Sequence, residues 1–196
     1  MRAPYLYRYR QNNKIMKRIK GMITLVLLTL GITAGAQRKL AGVYLTEADY
    51  LNNHPAYSHA TVNLHSLIPG NYITIQEANR HVRLDKNKFF ALKLANGTSW
   101  RLTKSSSYEI LNSNPRLLLY RRKIPVSPKV FPDNLYCYYF SAAGGQLKAL
   151  TAWNIKQAFT ENGTLADQLD ATFKNDESLM AYDAFHHMYK LEWLLK

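Results

Sequence analysis

Hydrophobic and polar positions follow two different periods along this chain. Up to about residue 141 the apolar runs are short, rich in β-branched and aromatic residues, and separated by turn residues. From about residue 146 the apolar positions recur at helical spacing. Strands first and helices afterwards predict an α+β domain rather than an alternating α/β one. The strand-like runs cover residues 72–75, 82–84, 89–94, 99–103, 108–111, 117–121 and 135–140. Asn96-Gly97 tolerates the positive φ angles of a tight hairpin turn, and Asn112-Ser113-Asn114-Pro115 predicts a second hairpin. The expected architecture is an antiparallel β-sheet, roll or sandwich-like, of about six or seven strands within residues 60–141. Ahead of it, Thr46 and Asp49 are spaced for a reciprocal helix cap, and Pro55 ends the turn they open. C-terminal helices are expected over residues 152–159, 165–173 and 179–195. In the last of these, Met180, Ala184, Met188, Leu191 and Leu195 form one stripe, and Tyr182, Tyr189 and Trp193 a neighbouring one. So wide an arc predicts burial on two sides, or one buried side and one partner, which leaves a homo-oligomer open.

The first 36 residues depart from both patterns. Lys14, Lys17, Arg18 and Lys20 precede an uncharged run, dense in apolar residues only to Leu30, that ends in Ala34-Gly35-Ala36 before Gln37. A basic start, a short apolar centre and a small-x-small end describe a secretory signal peptide, and the run falls short of the about 20 apolar residues a membrane span requires. Met16, followed by Lys17-Arg18-Ile19-Lys20, is a second candidate translation start. Cleavage after Ala36 predicts an exported protein, periplasmic or extracellular, with no transmembrane anchor after cleavage and a single domain over residues 37–196, β-rich over 60–141 and helical over 151–195. It also changes the charge. The whole chain carries a net +13, but the segment holds 7 Lys/Arg and no acid, which leaves +6. Cys137 is the sole cysteine, so no internal disulfide forms. Its run, Leu135-Tyr136-Cys137-Tyr138-Tyr139-Phe140, reads as a buried strand with an inert thiol.

The basic charge that remains is concentrated in residues 80–129, with 12 Lys/Arg against Asp85 and Glu109. Arg116, Arg121, Arg122 and Lys123 around Tyr120 are the candidate binding residues, since cations attract an anionic partner and a ring can stack on it. A solvated strand face alternating with a buried one is the plainer reading of the same residues. In an exported protein, nucleic acid is an unexpected partner; an envelope protein, a glycan or an anionic lipid headgroup fits better. Asp183 and His187 stand at i, i+4 on the expected last helix and are the candidate catalytic pair, although such a pair is also an ordinary helix-surface contact. His54, His59, His65 and His81 are scattered, adjacent His186 and His187 diverge by about 100° on a helix, and no HExxH or clustered Cys/His spacing occurs. No metal and no cofactor are therefore expected. Nucleophile-elbow, phosphate-loop and dinucleotide-loop patterns are missing as well. The fourteen tyrosines suit either a recognition surface or a β-rich core.

Three stretches resemble a family of small exported proteins of Bacteroidota with no assigned function. They are Gly42-Val43-Tyr44-Leu45-Thr46-Glu47-Ala48-Asp49-Tyr50, Tyr138-Tyr139-Phe140-Ser141, and Leu179-Met180-Ala181-Tyr182-Asp183 continuing to Tyr189-Lys190. The resemblance implies a single domain outside the cytoplasm and supplies no catalytic residue. The function expected is a non-catalytic binding or interaction domain of the cell envelope. A hydrolase with a dispersed site, or a binder of anionic polymers through residues 80–129, is the alternative.

Overall fold

Seven antiparallel strands form the centre of the structure, a computed structural model that describes residues 37–63, 70–124 and 135–195. The expected signal segment with its alternative start at Met16, His65, and the loop with Pro125, Pro128, Lys129 and Pro132 lie outside the described residues. The strands are β1 (Gln37–Tyr44), β5 (Ala91–Leu94), β6 (Ser99–Leu102), β7 (Ser107–Ile110), β8 (Leu117–Lys123), β9 (Tyr136–Ala142) and β10 (Lys148–Ala149). A meander of β2 (Thr61–Asn63), β3 (Tyr72–Glu77) and β4 (Arg80–Asp85) adjoins β1. The junction is a hydrogen bond from the Leu40 N–H to the Ala60 carbonyl at 2.7 Å and a bridge between Val43 and Tyr57. The full order is β10-β9-β8-β7-β6-β5-β1-β2-β3-β4. The α+β class and the antiparallel sheet agree with the periodicity of the sequence.

Local chemistry places several turns where the sequence puts them. Gly97 takes φ +88° between β5 and β6, and the Asn96 side chain accepts from the Thr98 N–H at 3.1 Å. The cap on α1 (Glu47–Leu51) is reciprocal: Asp49 N–H donates to Thr46 Oγ1 at 3.0 Å, and Thr46 N–H donates to Asp49 Oδ2 at 2.9 Å.

The C-terminal part contains α2 (Ala152–Ala158), α3 (Leu165–Thr172), a 3-10 turn (Asp176–Met180), a hairpin of β11 (Tyr182–Asp183) and β12 (Met188–Tyr189), and α4 (Lys190–Leu194). The first two helices stand where helical spacing predicts them. The long helix expected over 179–195 does not form. Asp183 Oδ1 accepts from the N–H groups of Phe185 at 2.9 Å and His186 at 3.1 Å, which gives the backbone a turn in place of a helix. His187 completes that turn at φ +52°, and the rings of Tyr182 and Tyr189 meet edge to face across the hairpin at 5.3 Å.

Strand alternation sorts side chains to two sheet faces. One face has two separate covers. Leu117, Leu119 and Phe140 pack beneath the C-terminal helices with Ile155, Leu169 and Leu191. Leu92, Leu94 and Leu102 pack beneath the meander with Val62, Ile73 and Ile75. On the opposite face, Tyr44, Phe90, Tyr108, Leu118 and Tyr120 form an aromatic core closed by Tyr50 and Leu51 of α1. Among the described residues, no helix is long and apolar enough to cross a membrane.

Candidate functional site

Between the two covers, the sheet face is left open. Strand register aligns Trp100, Glu109, Arg121 and Tyr138 in one row across β6, β7, β8 and β9. Further along the same face come Ser107, Lys123 and Tyr136. Of these, Trp100, Ser107, Glu109, Arg121, Lys123 and Tyr136, with Arg122 of β8 and with Ser105 and Ser106 from the β6–β7 turn, line a cleft of about 550 Å³. No histidine and no cysteine lines it.

An ion pair occupies its floor. Arg121 donates from Nε to Glu109 Oε2 at 2.8 Å and from Nη2 to Oε1 at 3.0 Å, a two-pronged pairing. Hydrogen bonding to Glu109 raises the Arg121 pKa further above its ordinary value. The guanidinium carbon lies 4.9 Å from the centroid of the Tyr136 ring. On the wall, the indole N–H of Trp100 is buried with no hydrogen-bond acceptor among the described residues, the kind of unmet donor that asks for an explanation.

Alternation divides the binding residues expected from the sequence. Lys123 is exposed and lines the cleft. Arg121 lines it as well, neutralised by Glu109. Arg122 also borders the cleft, but its guanidinium leans to the opposite face, 5.8 Å from the Tyr108 ring and 5.6 Å from the Tyr139 ring, and donates to Ser106 Oγ at 3.2 Å. It thereby ties the β6–β7 turn to β8. Arg116 is exposed before the far end of β8, about 20 Å of extended strand from Lys123. Tyr120 is fully buried, so its ring cannot stack on a ligand. Its hydroxyl bonds Ser141 Oγ at 2.9 Å and accepts from Arg101 Nη1 at 3.1 Å, and burial raises its pKa.

The Asp183–His187 pair is not assembled, because the helix that would place it is a hairpin. Asp183 Oδ2 instead meets His186 Nδ1 at 2.8 Å, and hydrogen bonding to His186 holds its carboxyl below the usual carboxylate range. The run around Cys137 is less enclosed than its composition suggests: Tyr136, Cys137, Tyr138 and Tyr139 are half-buried, and only Phe140 and Ser141 are closed off. Trp100, Glu109 and Tyr136 also line the cleft, and none of them stands among the site residues that the sequence predicts. Alternation along β6, β7 and β9 was the signal that could have found them. Among the described residues, no group of three or more His, Cys, Asp or Glu side chains gathers as a metal site would.

No protein-family model, no curated protein and no solved structure matches the chain.

Proposed function

We propose that this is an exported envelope protein whose sheet-face cleft binds a glycan without transforming it. The observation that carries the reading is the Glu109–Arg121 pair between the half-buried rings of Tyr136 and Trp100. A pyranose ring presents neighbouring hydroxyls and an apolar C–H face. The carboxylate oxygens retain lone pairs for hydroxyl donors, the guanidinium retains N–H groups for hydroxyl acceptors, and aromatic edges suit the C–H face. The unmet Trp100 donor adds support, since a ligand oxygen reaching it after a tilt of the ring would relieve about 1–3 kcal/mol. Exposed Lys123 favours sugars that carry a carboxylate or sulfate. The basic, apolar and small-residue pattern of residues 1–36 supports delivery to the compartment where such glycans occur.

The test is calorimetry of the folded protein against defined neutral and acidic oligosaccharides and envelope polysaccharide digests. Tyr136→Ala and Glu109→Gln should each weaken binding about tenfold, and Lys123→Ala should weaken acidic ligands selectively. Absence of glycan binding, or binding indifferent to all three substitutions, overturns the reading.

A further inference from the structure

A second cleft, of about 530 Å³, opens beside the other side of β6. It is bounded by the β1–α1 connection and Glu47 at the start of α1, the β4–β5 loop with Lys86 and Lys88, and Arg101 near the end of β6. Trp100 and Arg101 are consecutive in a strand, so their side chains leave on opposite faces. The Trp100 and Arg101 side chains therefore serve the two clefts from different faces of the strand.

Arg101 is held rigidly. Its guanidinium carbon stands 4.9 Å from the Phe90 ring centroid, and Nη1 donates to the buried Tyr120 hydroxyl at 3.1 Å. A guanidinium has five N–H donors, and that bond takes one of them. No carboxylate pairs with Arg101 among the described residues. Lys86 lines the same cleft at 2% exposure, and Lys88 is exposed at its rim. The one carboxylate in the lining, Glu47, is turned to the Gly144 N–H at 3.2 Å. Arg101, with four N–H donors left, and Lys88 against that one acid leave a net charge of +1. A phosphate monoester carries about −1.5 to −2 at neutral pH, with three acceptor oxygens.

We propose that this cleft is a phosphate-monoester site, with Arg101 as the planar hydrogen-bonding fork and Lys88 as the neutralising charge. The site is independent of the glycan reading.

The experiment is calorimetric titration of the protein with methyl phosphate at low ionic strength, with acetate as competitor. Saturable binding is expected, weakened about tenfold by Arg101→Gln and severalfold by Lys88→Glu. Lys123→Ala in the first cleft should leave it unchanged. Lys88 is exposed, so Lys88→Glu remains informative even if the loss of Arg101 disturbs Tyr120. Vesicles of phosphatidate and of phosphatidylcholine separate the two sources of the group. Binding to methyl phosphate and to phosphatidate vesicles alone assigns the site to a lipid headgroup, and binding to methyl phosphate without phosphatidate vesicles assigns it to a soluble monoester. Absence of saturable binding, equal competition by acetate, or indifference to both substitutions overturns the site.

Discussion

Replacing Asn112 with alanine should unfasten the C-terminal helix from the sheet. The Asn112 amide joins three partners: Nδ2 donates to the Leu117 carbonyl at 2.9 Å and to Glu192 Oε1 at 2.8 Å, while Oδ1 accepts from the Leu119 N–H at 2.7 Å. Glu192 is 7% exposed, and its other oxygen accepts from the Tyr189 N–H at 2.9 Å. Asn112→Ala leaves a buried amide and a buried carboxylate oxygen short of partners, at about 1–3 kcal/mol each with the carboxylate at the upper end. The sum, about 3–5 kcal/mol, is a large fraction of the about 5–15 kcal/mol of a folded domain. It corresponds to a fall in Tm of about 10 °C for a chain of this size. Urea unfolding followed by circular dichroism reads it as a lower midpoint at unchanged slope. Asn112→Asp sharpens the test. It keeps the acceptor for Leu119 but sets a second carboxylate against Glu192, and two such neighbours raise each other's pKa. A raised folded-state carboxylate pKa means that the variant is weakest at neutral pH and gains stability as the pH falls through that value. A cost of Asn112→Ala below about 1 kcal/mol, or Asn112→Asp matching the native chain at neutral pH, refutes the reasoning.

Gly42→Ala should destabilise by about 1–3 kcal/mol in thermal unfolding, because a Cβ there would lie 2.5 Å from Pro55 Cβ; an unchanged Tm would contradict it. Tyr120→Phe leaves the buried Ser141 hydroxyl short of its partner and should cost about 1–2 kcal/mol by denaturant titration, with Ser141→Ala in the same background recovering part of the loss. At the hairpin tip, the depressed pKa of Asp183 sets the direction of acid loosening. The contribution of its carboxylate is complete above the ordinary carboxylate pKa and is lost as pH falls through the lower folded value. The Phe185 and His186 amide signals in NMR should therefore move together at that lower pH and lose the transition in Asp183→Asn. A transition at the ordinary carboxylate value would contradict this.

Elements whose cause is local were legible in the sequence. Asn96-Gly97 and the Thr46–Asp49 cap carry their own geometry within four residues, and both form. The helix expected over 179–195 failed for a physical reason. Its apolar spacing is helical and no glycine or proline interrupts it, yet the Asp183 side chain competes for backbone N–H groups and the Tyr182 and Tyr189 rings reward a hairpin. The candidate site was legible only in part. Arg121, Arg122 and Lys123 are adjacent in the sequence, but strand alternation sends the middle one to the other face. Glu109 meets Arg121 because the β7–β8 turn sets the register, a relation between two strands that composition does not carry. β1 carries little signal in the sequence because it lies beside the export-like segment and lacks regular alternation, and its pairing slips between Leu40 and Gly42.

The solitary thiol gives the molecule a ready-made reporter position. Cys137 faces Arg122 across the β8–β9 ladder, and Arg122 reaches through Ser106 to the turn that walls the cleft between the two covers. With no second cysteine anywhere in the chain, a spin label or fluorophore attaches at one address without any engineering of the sequence. It sits on the sheet face away from the cleft floor, where it senses the loop without obstructing a ligand.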